Sequence, residues 1–414
     1  HLMQLPFLHK WVCLMPDTHA GMGMPIGGVI AAKDVIIPNA VGVDIGCGMA
    51  YVGTNIPVKI LKETMTGNGN LLQGMVGDIL RNIPVGIDRY RVPQASEVLD
   101  RAKEQQELYE KDPQLLPLIE DGYYQTGTLG GGNHFLEVQR IARIYDGQTG
   151  AAWNLKKGAV AVMLHTGSLT IGHHSGLLNR NLCRDIYPDR VMHPENKIYV
   201  IPEGCERSGA WKRFWSASGN AANFGFANRM FLGFMIQQVF DSVLGECRME
   251  LLYDAPHNYI WKRRIGGEDF YIHRKGACCA GGCEDMAGTE FAYYGEPVMI
   301  PGSMGSSSYL LRGLGNEDCL WSASHGAGRK KSRGDAAKGN DEQFRRFMER
   351  FHVITPVDPE RSDLKGRWDI LKKWEESVRA EAPYAYKDID KVIAVHEKHG
   401  MAAPVARMEP IFTV

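Results

Sequence analysis

The chain has 414 residues with 47 basic against 48 acidic side chains, and 44% of it is hydrophobic, enough for a substantial core in one large domain or two medium ones. Such a balanced charge excludes a protein that coats a polyanion through its overall field, so any attraction to nucleic acid has to come from a local basic patch. The nine cysteines form no CxxC pair and no regular framework, which excludes a disulfide scaffold and points to reduced thiols in a cytoplasmic compartment.

From residue 12 to residue 53, short apolar runs at 28–32 and 50–53 sit between turns rich in Gly, Pro and Asp. This is the pattern of buried strands whose loops carry functional side chains. Residues 95–111 are charged and helix-favouring, and 127–138 reads as a glycine turn followed by a strand. The run 159–164 predicts a fully buried strand that ends at His165. Further strands are expected around 197–201, 270–273 and 308–312, and helices over 221–244, 341–351 and 363–380. A last helix is expected to start near Asp388 and stop at Gly400, a cap and stop pair.

The most apolar stretch, 224–244, is interrupted by Asn228, Arg229, Gln237, Gln238 and Asp241, so it predicts a core helix and not a membrane span. With no repeat, low-complexity tract or obvious linker, the pattern predicts an α+β protein. Residues 1–414 are then a single domain of mixed sheets flanked by helices.

Five short segments set a metal-capable side chain beside glycine or at a strand end: Asp44 and Cys47 in 43–48, His134 in 132–134, His165 in 164–165, His257 in 256–258 and His325 in 324–326. Asp44 and Cys47, at i and i+3, can bring a carboxylate and a thiolate to one point, and histidines on rigid strand ends can complete the shell. A thiolate suits zinc or iron, whereas the carboxylate and imidazoles also suit manganese, so the ligand types leave the metal open. Cys278, Cys279 and Cys283 lack the paired spacing of a structural zinc site and read as free thiols.

Two loops, 130–133 and 302–308, are rich in Gly or Ser and can turn backbone N–H groups toward phosphate. No GxxxxGK[ST] occurs, which excludes a P-loop. In 324–333, His325 lies among small residues and is followed at once by Arg329, Lys330, Lys331 and Arg333. That arrangement suits an imidazole attacking a phosphate: glycines let the phosphate approach, Arg329 can clamp its oxygens, and the histidine can carry a covalent intermediate.

Taken in order, these segments resemble the RtcB family of RNA ligases. The resemblance rests on Met15-Pro16-Asp17-Thr18-His19, 41–49, 127–135, His257-Asn258-Tyr259, His273-Arg274-Lys275-Gly276-Ala277, 300–308, 324–329 and Ala385-Tyr386-Lys387-Asp388-Ile389-Asp390, and so spans nearly the whole chain. It implies two Mn²⁺ ions bridged by Cys47, with Asp44, His134, His165 and His257 completing the shells and Asp17 in support. His325 would attack the α-phosphate of GTP to give a histidine–GMP adduct. The guanylate would pass to an RNA 3′-phosphate, itself formed by opening a 2′,3′-cyclic phosphate, and a 5′-hydroxyl RNA end would then displace GMP. The nucleotide pocket implied comprises Asn133, Phe135, Glu137, Ser303, Ser308, Ala327, Gly328, Arg329 and Tyr386. Roles in RNA repair or tRNA splicing follow from the resemblance, as does an archease-like activator.

The chain departs from the family at three places. Leu169 stands where the family usually has an arginine, Cys278-Cys279 replaces a Thr-Arg pair, and the sequence given stops at Val414, before the place where the family often ends in Lys-Gly. These differences suggest a divergent branch. They leave two rival readings: a metal-dependent phosphohydrolase or nuclease using the same residues, and a non-catalytic RNA-end binding protein.

Overall fold

Side-chain alternation along residues 48–57 sets the centre of the molecule: Met49 and Tyr51 pack into one apolar cluster, Ala50 and Val52 into another on the opposite face. The computed structural model describes residues 2–66, 69–188, 192, 194, 198–339 and 341–414. Its principal strands are β1 (Cys13–His19), β2 (Ile26–Ala32), β3 (Gly48–Pro57), β4 (Phe135–Ile144), β5 (Ala159–Thr166), β6 (Met249–Pro256), β7 (Asn258–Ile265), β8 (Glu268–Lys275), β9 (Ala277–Cys279), β10 (Pro297–Ile300), β11 (Ser308–Gly313), β12 (Ser322–Ser324) and β13 (Ala402–Thr413). Seven of them form an antiparallel sheet in the order β6-β3-β5-β4-β13-β11-β10. A four-stranded sheet, β1-β2-β8-β7, and the ribbon β9-β12 lie beside it.

The strand β5 is buried at every position, because helices cover one face of the large sheet and the β10–β11 side of the core fills the other. The principal helices are α1 (Leu71–Asn82), α2 (Leu169–Asp185), α3 (Ala210–Leu244), α4 (Asp341–Met348), α5 (Trp368–Ala380) and α6 (Ile389–Lys398). On α3, Leu232, Ile236, Val239 and Phe240 recur at helical spacing and pack with Val52, Val162 and Leu164 of the sheet and Met75 and Ile79 of α1. Each such buried side chain contributes about 1.5–3 kcal/mol over the exposed state. The architecture is α+β, as the sequence pattern predicts.

Several boundaries differ from the sequence-based expectation. The helical stretch expected over 95–111 is broken into Glu97–Lys103 and Gln106–Lys111, with Glu104 as the cap of the first piece. Of the strand expected at 197–201, residue 197 lies outside the described residues, and only Ile201–Pro202 pairs, with Val35–Ile36. The helix expected from 363 starts at Trp368, after a single 3₁₀ turn at Ser362–Leu364. Asp388 does cap α6, accepting from the Asp390 N–H. No described helix is long and apolar enough to cross a membrane.

Candidate active site

The large sheet's register gathers the ligand candidates at one end of four adjacent strands. Cys47 immediately precedes β3, His165 sits near the end of β5 opposite Met49, and His134 immediately precedes β4, whose Phe135 also faces His165. His257 follows β6, and its N–H donates to the Cys47 carbonyl at 2.8 Å. Cys47 Sγ lies 3.5 Å from His134 Nε2 and 3.3 Å from His165 Nε2, and His165 Nε2 lies 3.3 Å from His257 Nε2. Asp44 Oδ2 is 3.1 Å from His134 Nε2. Two overlapping triads result, Cys47–His165–His257 and Asp44–Cys47–His134, each with its ligand atoms within 4.8 Å of one another.

The donor set fits a divalent cation. His165 Nδ1 is 2.8 Å from the Asn133 carbonyl, which can only accept, so Nδ1 carries the proton and Nε2 presents a lone pair to Cys47 and His257. Asp44 Oδ2 is buried without a hydrogen-bond donor. Lone pairs converging in this way repel unless a cation joins them. Burial first, and the neighbouring imidazoles second, hold His165 and His257 well below the usual histidine pKa, so both rings are neutral at pH 7. Burial and then the Asp44 charge push the Cys47 thiol well up, so a cation beside the sulfur would favour its thiolate.

Local backbone makes this approach possible. Gly46 adopts φ 76 where a Cβ would stand 2.6 Å from Ala222 Cα on α3, and a Cβ on Gly167 would stand 2.3 Å from Asp44 Oδ2. Ser168 anchors the same carboxylate through its N–H at 3.1 Å and its hydroxyl at 3.0 Å.

His325 follows β12 and faces the cluster: its ring centroid is 4.9 Å from that of His257. Its Nδ1 donates to Asp17 Oδ2 at 2.7 Å, and Asp17 is fully buried. Burial pushes the Asp17 carboxyl up, but the hydrogen bond and charge of His325, with Ser324 and His396, outweigh it and hold the pKa below the usual value. The pairing fixes the tautomer, leaving Nε2 as the lone-pair nitrogen.

A cleft of about 1340 Å³ joins the cluster to the remaining expected site residues. Asn133, Phe135, Glu137, Ser303, Ala327, Gly328, Arg329 and Tyr386 all line it. Ser308 lies behind that surface, its hydroxyl 3.5 Å from Glu137 Oε1. Glu137 also accepts from Thr413 and Gln139 at 2.6 Å, and burial raises its pKa to about 7. Arg329 is not a free clamp: it donates to Glu381 at 2.8 Å, to the Tyr386 hydroxyl at 3.0 Å and to the Ala380 carbonyl at 2.5 Å. Arg333 shares Glu381 and reaches Asn133 Oδ1 at 3.4 Å. Among the described residues, Lys330 and Lys331 make no ion pair.

Three positioning residues escape the sequence reading. Arg229 of α3 has a fully buried side chain that pairs with Asp254 at 2.8 Å and donates to the carbonyls of Gly46 at 2.7 Å and Thr166 at 2.9 Å, tying together both ligand loops. Its signal was present as the one charge between Arg213 and Asp241 of that helix. Lys387 Nζ donates to the Pro16 and Thr18 carbonyls at 3.0 and 2.6 Å, bracing the Asp17 loop. Glu381 holds Arg329 and Arg333, a role that spacing alone does not reveal. The Leu169 side chain packs against Gly130. Cys278, in the other departure, is buried in β9.

Comparison with known proteins accounts for this arrangement as a whole. The family model described as "tRNA-splicing ligase RtcB" matches residues 1–414. A protein of Nanoarchaeum equitans named "tRNA-splicing ligase RtcB" is 32% identical over 457 residues, covering 100% of this chain and 90% of that protein. One of Thermococcus kodakarensis with the same name is 32% identical, covering 99% of this chain and 89% of its own length. The "RNA-splicing ligase RtcB" of Mycobacterium tuberculosis is 32% identical over 98% of this chain and 97% of its own length. Full-length similarity of this extent, on a sheet that brings a thiol, a carboxylate and three imidazoles to one point beside His325, places the chain in the RtcB family.

Proposed function

We propose that residues 1–414 act as one GTP-dependent RNA ligase domain that joins a 2′,3′-cyclic phosphate or 3′-phosphate RNA end to a 5′-hydroxyl end, in RNA repair or tRNA splicing in the cytoplasm. The observation that carries this reading is His325, paired with buried Asp17 at 2.7 Å and set 4.9 Å, ring to ring, from His257 of the metal-ligand cluster. Asp44, Cys47, His134, His165 and His257 would hold two manganese ions, which would keep Cys47 as thiolate and neutralise charge on phosphate oxygens.

In this reading His325 Nε2 attacks the α-phosphorus of GTP, a P–N bond forms, and pyrophosphate leaves with the electrons of the broken P–O bond. Asp17 keeps Nδ1 protonated and oriented while positive charge develops on the ring. An RNA 3′-phosphate oxygen then takes the guanylate and frees the imidazole. Water opens a cyclic end beforehand. Finally the 5′-hydroxyl oxygen attacks the RNA phosphorus, its proton is lost, and GMP departs from the new phosphodiester.

The cleft's glycine loops, the polar floor of Glu137 and Ser308, and the ring of Tyr386 suit a guanine nucleotide held without a P-loop. Lys330 and Arg333 on its rim suit RNA phosphates. The test offers RNA with a cyclic phosphate end and a 5′-hydroxyl end, with GTP and Mn²⁺, with and without an archease-like activator. Joined product supports the reading; metal-dependent hydrolysis of the same RNA without a guanylylated protein would replace ligation with the phosphohydrolase alternative.

A further inference from the structure

Helix α6 carries a polar side chain where its apolar stripe calls for one more hydrophobe. Ile389, Val392, Ile393 and His396 share its buried face at helical spacing, and His396 is fully buried. Its ring reaches a partner 72 residues away, the backbone N–H of Ser324, which donates to Nε2 at 2.9 Å. At the other nitrogen, Nδ1 donates to the Val392 carbonyl at 2.8 Å, one turn back on the helix. A carbonyl only accepts, so the proton sits on Nδ1 and the lone pair on Nε2. Burial, the largest influence, holds the pKa below the ordinary histidine value and keeps the ring a neutral acceptor.

Ser324 is the last residue of β12 and immediately precedes His325. Opposite it in the ribbon, Ala277 of β9 sends its own N–H to the His257 carbonyl at 3.1 Å. The two opposed N–H groups thus leave the ribbon, one toward a residue of the metal-ligand cluster and the other toward α6. The loop that carries His325 is secured at its start by a helix side chain and not by its own strand partner. The segment leading into α6 holds the loop farther on, where the Lys330 N–H donates to the Ala385 carbonyl and the Lys387 N–H to the Gly328 carbonyl, each at 2.9 Å. There the loop runs against the Asp17 backbone, since a Cβ on Gly328 would stand 2.1 Å from the Asp17 carbonyl oxygen.

We propose that His396 is a positioning residue for the His325 nucleophile, acting through the Ser324 peptide. With that N–H anchored, His325 leaves β12 in one direction, its Nδ1 meeting Asp17 and its ring facing His257. A leucine at 396 would fill the stripe equally well but would leave a buried N–H without an acceptor, and the peptide would turn to find one. The imidazole would then move off its 2.7 Å contact with Asp17. The inference rests on the ligase reading, whose nucleophile it positions.

The experiment measures adduct formation by the full-length protein with GTP and Mn²⁺ in wild type, His396→Leu, His396→Asn, His396→Gln and Ile393→Ala, at a temperature where each is folded. His396→Leu is expected to lower the maximal rate about 10–100-fold, because a displacement of about 1 Å at a reacting group is enough for such a loss. Half-saturating GTP and Mn²⁺ affinity are expected to stay within about twofold of wild type, the mark of a lost orientation and not of lost binding. The His396→Gln amide oxygen reaches about as far as Nε2 and is expected to restore most of the rate. The shorter amide of His396→Asn stops near the Nδ1 position and is expected to be slow, which covers the case in which His396→Leu fails to fold. Ile393→Ala opens a cavity on the same helix face and is expected to lower the urea midpoint while keeping the rate. A wild-type rate in His396→Leu or His396→Asn overturns the proposal, as does a loss that resides in GTP or Mn²⁺ binding. So does a His396→Gln no faster than His396→Asn, or an Ile393→Ala as slow as either. Absence of the adduct from wild type itself sinks the ligase reading, whereas a normal wild-type adduct with undiminished variants sinks the role of His396 alone.

Discussion

The His325 imidazole and the Asp17 carboxylate are 2.7 Å apart, joined across 308 residues of sequence, and the carboxylate is fully buried. Orientation of the His325 ring is therefore set by Asp17. Asp17→Asn is expected to slow guanylylation by a factor on the order of 10²–10⁴, since an amide can donate to Nδ1 and stabilise the wrong tautomer. His325→Ala is expected to abolish the adduct while leaving metal binding intact. Intact-protein mass after incubation with GTP and Mn²⁺ checks both, and a GMP increment retained in His325→Ala would sink the nucleophile assignment.

Metal binding and adduct formation are expected to fall together at the loops that carry Cys47 and Asp44. Cys47→Ala removes the sulfur shared by both triads and should lose metal and adduct together. Gly167→Ala drives a methyl group to 2.3 Å from Asp44 Oδ2 and 2.8 Å from Cys47 Cα and should displace both, weakening Mn²⁺ affinity about 10–100-fold with every proposed ligand residue retained. Calorimetric titration of Mn²⁺ reads this directly, and unchanged affinity in Gly167→Ala would mean that the Asp44–Cys47 loop does not hold the metal.

Arg229 connects stability to the site. Arg229→Met leaves Asp254 without its partner in a largely buried setting and is expected to cost about 3–5 kcal/mol in urea unfolding. Adding Asp254→Leu should recover much of that loss. Mn²⁺ affinity should stay reduced in the double variant, because the carbonyls of Gly46 and Thr166 have still lost their shared donor. Full recovery of both would reduce Arg229 to a simple ion-pair partner.

Glu137 gives a pH signature. Folded, it holds its proton to about pH 7, whereas an ordinary glutamate carboxyl loses it near 4.5. The folded state thus binds more protons across that window, and stability falls as pH rises from about 4.5 to 7, by on the order of 3 kcal/mol in all. Glu137→Gln is expected to remove that slope, as urea midpoints at pH 5 and pH 7.5 would reveal. An identical slope in the variant would show that Glu137 ionises elsewhere than in its buried pocket.

The sequence made the central strands legible because 28–32, 50–53 and 159–164 are apolar on both faces and lie between glycine-rich turns. It made the clustered side chains legible because Asp44, Cys47, His134, His165 and His257 sit at or beside strand ends, where a rigid backbone aims side chains. The helix Leu71–Asn82 was not anticipated, since two internal glycines weaken its pattern and its buried Met75 and Ile79 gain their meaning only against α3. Nor was β13, whose Pro404 and Pro410 disguise a strand that bulges twice along β4. The bracing of His325 by Asp17 and of the Asp17 loop by Lys387 came from family resemblance or not at all, because contacts across more than 300 residues leave no trace in local spacing.

The placement of β13 between β4 and β11 bears on how the protein matures. Residues 402–413 fill the middle of a sheet whose other strands are drawn from 48–313, and Thr413 seals the pocket of Glu137. On the ribosome, a nascent chain would hold nearly every ligand long before this keystone emerged. A chain that lacked residues 402–413 would leave the facing edges of β4 and β11 unpaired and the pocket of Glu137 open, so this one segment closes the scaffold.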